Sequence, residues 1–314
     1  MNLLKLGFYI KIKIKVMDKI IFTFYRILEN FFRSTTKSNE IYTSLEGSEE
    51  ELDETGRLTS QSTRFDTYVD EDQAVYVKFP NSLAHSFWRS QEVTIFKRAA
   101  KYYKYPLLDF GCGDGSLSAS IFDQIDYGVD IDLKALKVAN GFNLYKKLHS
   151  FEEMVDSIDN NLIATVISVS VLEHTTNLKK CIEEIYRVLK AGGSFYITVP
   201  NKNFTKHMTE LIDKEFAIHQ NKIMYHRNLL SESEWRELLI STGFKIEHFS
   251  EFQPIQITRK YFNLSLLGSK SIGRIKFIRN FLDKILLRRN LKNVKNSLDY
   301  NGFEGANFYI IAKK

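Results

Sequence analysis

The sequence predicts an α/β chain built on a doubly wound, mostly parallel sheet with helices on both faces. Three observations lead there. An apolar run at 105–110 breaks into glycines at Gly111, Gly113 and Gly115, and a helical pattern (Leu117, Ile121, Phe122, Ile125) follows. Strand, glycine loop and helix start, in that order, place a ligand against bare backbone at the carboxyl end of a parallel strand. A second apolar run, 125–129, ends in Gly128-Val129-Asp130-Ile131-Asp132, which sets a carboxylate at the tip of the next strand. The third is bulk: 314 residues with a hydrophobic fraction of 44% supply one sizeable α/β domain plus appendages.

The loop's chemistry narrows the ligand. A dinucleotide fingerprint is G-x-G-x-x-G with a pyrophosphate on the helix N-terminus. Here the spacing is G-x-G-x-G, and Ser116 stands where the third glycine would be. Asp109 and Asp114 flank the loop; they would repel a pyrophosphate and attract a cation. S-adenosylmethionine has no phosphate and carries an ammonium and a sulfonium, so the loop suits it better than a nicotinamide dinucleotide. Asp130, 19 positions after Gly111, is placed to accept the ribose hydroxyls of either nucleoside. Taken alone, the loop is also compatible with a glycine turn that binds nothing.

From these runs onward the sequence resembles class I S-adenosylmethionine-dependent methyltransferases, in particular the small-molecule group that includes the ubiquinone-biosynthesis type. The resemblance spans roughly 87–251 and returns at 306–312. Its blocks are 107–115; 127–136; Thr165-Val166-Ile167-Ser168-Val169-Ser170-Val171-Leu172-Glu173-His174; and Ile185-Tyr186-Arg187-Val188-Leu189-Lys190-Ala191-Gly192-Gly193, continuing to Thr198-Val199-Pro200-Asn201. A weaker block is a helix at 231–244 ending in Thr242-Gly243-Phe244. The resemblance implies a seven-stranded sheet whose last two strands are joined by a tight hairpin; here about 50 residues lie between them, too many for a structureless loop, and a helical insertion is expected. The resemblance carries S-adenosyl-L-methionine contacts onto Asp109, Gly111, Cys112, Gly113, Gly115, Asp130, Ile131, Ser150, Ser168 and Val169. Two departures stand out. Ser150 replaces the acidic residue that commonly holds the adenine amino group, and Ala164 replaces the usual Asp opening the fourth strand. The third strand, 143–148, carries two lysines.

Around this domain, 66–314, the charge pattern sets off two further segments. Residues 1–33 hold seven Lys/Arg against Asp18 and Glu29, with Ile20, Ile21, Phe24, Ile27, Leu28 and Phe31 on one helical face. This basic amphipathic arm contains no uncharged run near the ~20 residues that cross a bilayer. Lysines interrupt the stretch a cleavable signal would need. Residues 34–65 read as an acidic, Ser/Thr-rich disordered linker, with seven acidic and no basic residues over 38–56. Helical lid insertions are expected at about 202–228 and 254–305. The second is basic: eleven Lys/Arg against Asp283 and Asp299 over 254–300, around an apolar stripe of Ile275, Ile278, Leu282, Ile285 and Leu286. Arm and lid either pack on the domain or face one anionic surface, a membrane or a lipid-linked acceptor.

The reaction the resemblance implies is methyl transfer to a small-molecule or lipid-linked acceptor. Candidate groups to take a proton are His174, closing the Val-Leu-Glu-His block, and His226 beside Tyr225 in the first insertion. His207 and His219 are weaker candidates for that role, and Asn201, after the fifth strand, is a candidate contact for acceptor or cofactor. No metal-ligand spacing such as H-E-x-x-H occurs. The two cysteines, Cys112 and Cys181, form no disulfide framework, which fits a reducing, cytoplasmic setting, with arm and lid on the inner face of a membrane. Basic residues interleaved with aromatics would suit RNA, but Tyr261, Phe262, Phe277 and Phe281 make no recognisable RNA module, and nucleic acid is not the expected partner. The rivals are an RNA or protein methyltransferase and a non-catalytic binding protein of the same fold. The sequence does not specify an oligomeric state.

Overall fold

The computed structural model describes residues 67–69, 74–78, 83–267, 294, 298 and 304–314. The arm at 1–33, the linker at 34–65 and the stripe at 275–286 lie outside the described residues. Nine strands are described: β1 (Thr67–Val69), β2 (Val75–Val77), β3 (Leu107–Phe110), β4 (Ile125–Asp130), β5 (Tyr145–Ser150), β6 (Ile163–Val169), β7 (Leu189–Pro200), β8 (Lys245–Pro254) and β9 (Gly305–Lys313). The described α-helices are α1 (Leu83–Ala99), α2 (Leu133–Gly141), α3 (Phe151–Ser157), α4 (Leu178–Val188), α5 (Lys202–Leu211), α6 (Lys214–Ile223), α7 (Glu232–Thr242) and α8 (Ile255–Leu267).

Seven strands form one sheet in the order β5-β4-β3-β6-β7-β9-β8, and β1 pairs antiparallel with β2 apart from it. Strands β3 to β7 run parallel, and β9 lies antiparallel between β7 and β8. The chain walks outward from β3 to β5, then returns to β6 on the other side of β3. The carboxyl ends of β3 and β6 therefore form the switch point at which open α/β sheets bind ligands. This is the doubly wound sheet that the sequence predicts.

Burial explains the strand patterns. β6 is buried along its whole length (Ile-Ala-Thr-Val-Ile-Ser-Val), as a central parallel strand must be. β5 reads as poorly apolar because it is an edge strand, with Lys146 and Lys147 exposed. It starts at Tyr145 rather than 143, because Asn143 turns the chain at φ +51°. Side chains of α3, α4 and α7 close one face, where Met154, Ile182, Ile185, Trp235 and Leu239 join Val166, Phe195 and Ile310 in one cluster. On the other face α1 supplies Val93, Ile95 and Phe96 against Leu107, Ile167 and Tyr196. A satellite core joins α1, α5, α6 and α8 through Phe87, Phe204, Phe216 and Phe262. Within 202–228 the chain forms α5 and α6, and the segment after β8 begins as α8.

Two details depart from expectation. After the glycine loop the chain makes only a 3-10 turn, Ser118–Ser120, instead of a helix. Few residues remain to travel back along the strands before β4 begins. Second, α1 and the β1–β2 pair, which no motif announced, cover the domain's front. Elsewhere capping follows the sequence closely: Ser231 and Glu234 form a capping box at α7, and Gly243 ends that helix at φ +111°. Among the described residues no helix is long and apolar enough to cross a membrane.

Candidate active site

The glycine-loop half of the candidate site is made of backbone. Gly111, Gly113 and Gly115 take φ of +80°, +54° and +78°, a region that residues with a Cβ enter at a cost of about 1–2 kcal/mol. Gly111 and Cys112 donate their N–H groups to the Val129 carbonyl at 2.7 and 3.0 Å, which holds the loop's start against β4. A Cβ on Gly111 would sit 2.3 Å from both methyls of Val171. At Gly113, by contrast, nothing lies within 4 Å of the added atom, so this stretch of loop faces open space.

Three carboxylates organise the loop, each differently. Asp130 Oδ2 accepts from the Gly113 N–H at 2.7 Å and its Oδ1 from the Asp132 N–H at 2.9 Å. Asp132 in turn caps α2. Asp130 therefore stands at the rim of the loop, half-exposed and fixed by two backbone donors. Asp109 is buried, its Oδ2 accepting from Ser118 Oγ at 2.6 Å and Tyr145 Oη at 2.7 Å. Burial pushes its carboxyl up to about 6, against the pull of the two hydroxyl donors. Asp114 is exposed and closes a local turn by accepting from the Ser116 N–H and Oγ at 2.9 and 2.5 Å. Asp109 and Asp114 were expected beside a cationic ligand; the structure shows one bracing the loop from beneath and the other from within.

The remaining cofactor candidates surround this loop. Ile131 is 76% exposed and Leu133 61%, an apolar rim suited to the face of a flat ring. Ser150 sits at the end of β5, where its hydroxyl accepts from the Glu153 N–H as half of a capping box for α3. Ser168 and Val169 end β6 and are buried, and the Ser168 hydroxyl has no partner among the described residues. Cys112 is buried in the loop and Cys181 in α4, and both are free thiols.

The other half of the cleft is made of side chains. Past β6, Ser170 adopts φ +52° and the chain enters a 3-10 turn, Leu172–His174. The Glu173 carbonyl accepts from the N–H groups of Arg227 and Asn228 at 2.7 and 3.0 Å. Asn228 Nδ2 donates to the carbonyls of Leu172 and Thr175 at 2.9 and 2.8 Å. These bonds stitch the first insertion onto the turn and bring His226 to His174, their ring centroids 5.4 Å apart. The two catalytic candidates, 52 positions apart in sequence, therefore meet.

Their tautomers follow from their partners. His174 Nδ1 faces the Tyr225 carbonyl at 3.3 Å and His226 Nδ1 faces Asn221 Oδ1 at 3.1 Å, so in each ring Nδ1–H is the donor and Nε2 keeps a lone pair. Burial lowers the His226 imidazole to about 4, helped by His174 and Arg89, and burial likewise lowers His174. Both are neutral bases at neutral pH. Glu173 is fully buried with Oε2 unpartnered, and burial pushes its carboxyl up to about 8. Ligand atoms of Glu173, His174 and His226 lie within 4.8 Å of one another, a donor set that could hold a divalent cation. Sequence spacing gave no sign of it, because a Glu-His pair and a distant His match no metal motif.

Helix α1 supplies what the motifs missed. Arg89 Nη1 donates to Glu92 Oε2 at 2.8 Å, and Glu92 is fully buried. Glu92 Oε1 also accepts from Ser170 Oγ and, at 3.4 Å, from Thr198 Oγ1, tying α1 to the ends of β6 and β7. Trp88 packs edge-on against Phe204 (5.7 Å) and Tyr261 (5.0 Å), and Phe204 against His226 (5.5 Å), forming an aromatic wall beside the imidazoles. A carboxylate three positions after an arginine, inside an otherwise core-facing helix, was the available signal. The secondary candidates serve structure: Asn201 caps α5 and bonds the Gly305 carbonyl, while His207 is buried between Thr258 and the Glu304 carbonyl. His219 lies on α6.

Comparison with known proteins agrees with this geometry. The family model described as a methyltransferase domain matches residues 86–249. A Mycolicibacterium smegmatis protein named a probable S-adenosylmethionine-dependent methyltransferase is 25% identical over 178 residues, covering 54% of this chain and 63% of that protein. The mitochondrial ubiquinone biosynthesis O-methyltransferase of Mus musculus is 34% identical over 107 residues, 31% of this chain and 29% of that one. The ubiquinone biosynthesis O-methyltransferase of Dechloromonas aromatica is 26% identical over 171 residues, 48% and 72% of the two chains. The chain thus spans less than two thirds of the length of the first two relatives. With a match over more than half its residues, on the part of the fold that builds the cleft, this chain belongs to the methyltransferase-domain family.

Proposed function

We propose that the protein transfers a methyl group from S-adenosylmethionine to a small-molecule or lipid-linked acceptor. The observation that carries this reading is the left-handed glycine loop with Asp130 fixed at its rim. The loop gives close backbone approach, Asp130 a carboxylate for the ribose hydroxyls, and Ile131 with Leu133 an apolar face for the base. S-adenosylmethionine supplies a methyl group on a sulfonium, open to in-line attack. The chain's part is to bind, orient and exclude water. His174 and His226 stand at the acceptor side with Nε2 lone pairs available, so an acceptor hydroxyl gives up its proton to an imidazole as its oxygen attacks.

The test is incubation of the full chain and of Asp130→Ala with S-adenosylmethionine and fractionated cell extract, read by mass spectrometry. A small molecule or lipid that gains one CH₂ with the full chain and not with the variant supports the reading. Gain only on RNA or protein, or none together with no cofactor binding, overturns it in favour of the corresponding rival.

The acceptor's place at an anionic surface rests on sequence, on the basic arm at 1–33 and the basic insertion at 254–300. Co-sedimentation with vesicles of anionic lipid checks it: removal of 1–33 and neutralisation of the insertion should abolish pelleting. Unchanged pelleting contradicts a surface role for them.

A further inference from the structure

A side chain from the sheet's edge reaches across its neighbouring strand to the foot of the glycine loop. Tyr145 opens β5, the edge strand, and its hydroxyl donates to Asp109 Oδ2 on β3 at 2.7 Å. Between them lies β4, where Gly128 stands opposite Asp109 in register. A Cβ on Gly128 would come within 2.8 Å of Tyr145 Cδ1 and 2.7 Å of Leu148 Cδ2, so the missing side chain leaves the channel that the ring fills. The opposite edge of the ring meets the loop itself: a Cβ on Gly115 would lie 3.0 Å from Tyr145 Cε2. Asp109 Oδ2 also accepts from Ser118 Oγ at 2.6 Å, on the turn by which the chain leaves the loop. Asp109 thus ties the strand entering the loop to the turn leaving it, and Tyr145 braces that tie from outside both.

Resting on the cofactor reading above, we propose that Tyr145 is a positioning residue of the glycine loop, its ring setting the loop's depth at Gly115 and its hydroxyl fixing the entering strand through Asp109. Aromatic bulk alone would fill the channel; the hydroxyl makes the contact depend on the charge of Asp109. An ionised carboxylate accepts both hydroxyl protons at one oxygen, and hydrogen bonds to a charged acceptor are the stronger kind. Burial raises Asp109 to about 6, Ser118 and Tyr145 draw it back, and Asp130 on β4 adds to the rise. Cys112 in the loop stays a thiol because burial pushes it up, and burial likewise keeps the Tyr145 hydroxyl protonated and donating. The two hydroxyl contacts therefore strengthen as Asp109 ionises, and the Tyr145 oxygen helps to set the pH at which that happens.

The experiment is isothermal titration of the full chain with S-adenosylhomocysteine across pH 5 to 8.5, on wild type, Tyr145→Phe, Asp109→Asn and the double variant. Wild type should bind more weakly below about 6, where Asp109 takes up its proton. Tyr145→Phe keeps the ring and should bind roughly 10-fold more weakly at pH 7, the scale of one charge-assisted hydrogen bond. The pH at which its affinity falls should move upward, because a donor that lowers Asp109 is gone. In the Asp109→Asn background the same substitution should change affinity less than ~2-fold, its charged partner being absent. Equal binding by Tyr145→Phe and wild type at every pH overturns the proposal. An equal loss at every pH in both backgrounds overturns it too, since a fold weakened in general would give that. Failure of wild type to bind would defeat the cofactor reading by itself, and amide hydrogen exchange at 111–115 then judges the tyrosine. Faster exchange there in Tyr145→Phe, with β6 and β7 unchanged, supports the positioning role, and unchanged exchange in the loop overturns it.

Discussion

On one side of the site the working groups are the backbone of the glycine loop, 111–115, whose first two amides bond to the Val129 carbonyl of β4. On the other they are side chains from four separate places: α1, the turn after β6, the segment after α6, and α5. The first half depends on conformation, since three glycines must sit where φ is positive. The second depends on burial, since its histidines and Glu173 owe their protonation states to desolvation. One sequence thus uses two kinds of preorganisation, and each fails in its own way.

The largest effect should come from the loop. Gly111→Ala forces a Cβ within 2.3 Å of the Val171 methyls at φ +80° and should abolish measurable S-adenosylhomocysteine binding, with a clear fall in melting temperature. Gly113→Ala meets nothing within 4 Å and should cost only the left-handed backbone penalty, about 1–2 kcal/mol. Equal damage from the two would show that the loop is governed by conformation alone and that Val171 does not matter. Next, His226→Ala should lower kcat by roughly 10²- to 10⁴-fold, the usual reach of a positioned proton acceptor. Rates measured once an acceptor is found will decide it, and an unchanged kcat would reduce the imidazole pair to packing.

Each half also hides a carboxyl that burial raises, Asp109 in one and Glu173 in the other, and their titrations separate the halves by pH. Both carboxyls are raised in the folded state, so the folded protein holds their protons more tightly than the unfolded chain. Stability is therefore highest below pH 4 as far as these groups are concerned, and it falls as pH rises until the folded value is passed. For Asp109 the fall runs from the ordinary 3.8 to about 6, roughly 3 kcal/mol, and for Glu173 from 4.5 to about 8, roughly 5 kcal/mol. Urea unfolding from pH 4 to 9 should show Glu173→Gln gaining on wild type up to pH 8, while any gain of Asp109→Asn stops near pH 6. Parallel curves for both variants would contradict the assignment. The smallest effect is at Ser150: Ser150→Ala loses a capping box, about 1 kcal/mol by thermal melting. A matching loss of S-adenosylhomocysteine affinity would give Ser150 a cofactor role beyond the cap.

What could be read from the sequence divides along the same line. The loop was legible because glycine spacing, an apolar strand and Asp130 lie within about 25 residues and each has a local physical reason. The doubly wound sheet was legible as well, through the resemblance those runs carry, whereas its strand order was not. Even there, locality misled: Leu117, Ile121 and Phe122 are spaced as on a helix, but the chain between them makes only a 3-10 turn. The side-chain half could be named only piecemeal. His174 and His226 were visible as candidates, but their meeting depends on Asn228 bonding to the turn at 172–175, a long-range contact without a sequence signature. Arg89 and Glu92 were passed over because their spacing of three on a helix, the one available signal, is shared by any solvated pair; only the fold buries Glu92.

The division of labour between the halves is tested most directly by titrating S-adenosylhomocysteine into wild type, Asp130→Ala and His226→Ala side by side. Wild type and His226→Ala should bind alike, while Asp130→Ala, stripped of the acceptor for the Gly113 and Asp132 amides, should bind weakly or not at all. A wild-type protein that does not bind, or a His226→Ala that fails together with Asp130→Ala, would contradict the account.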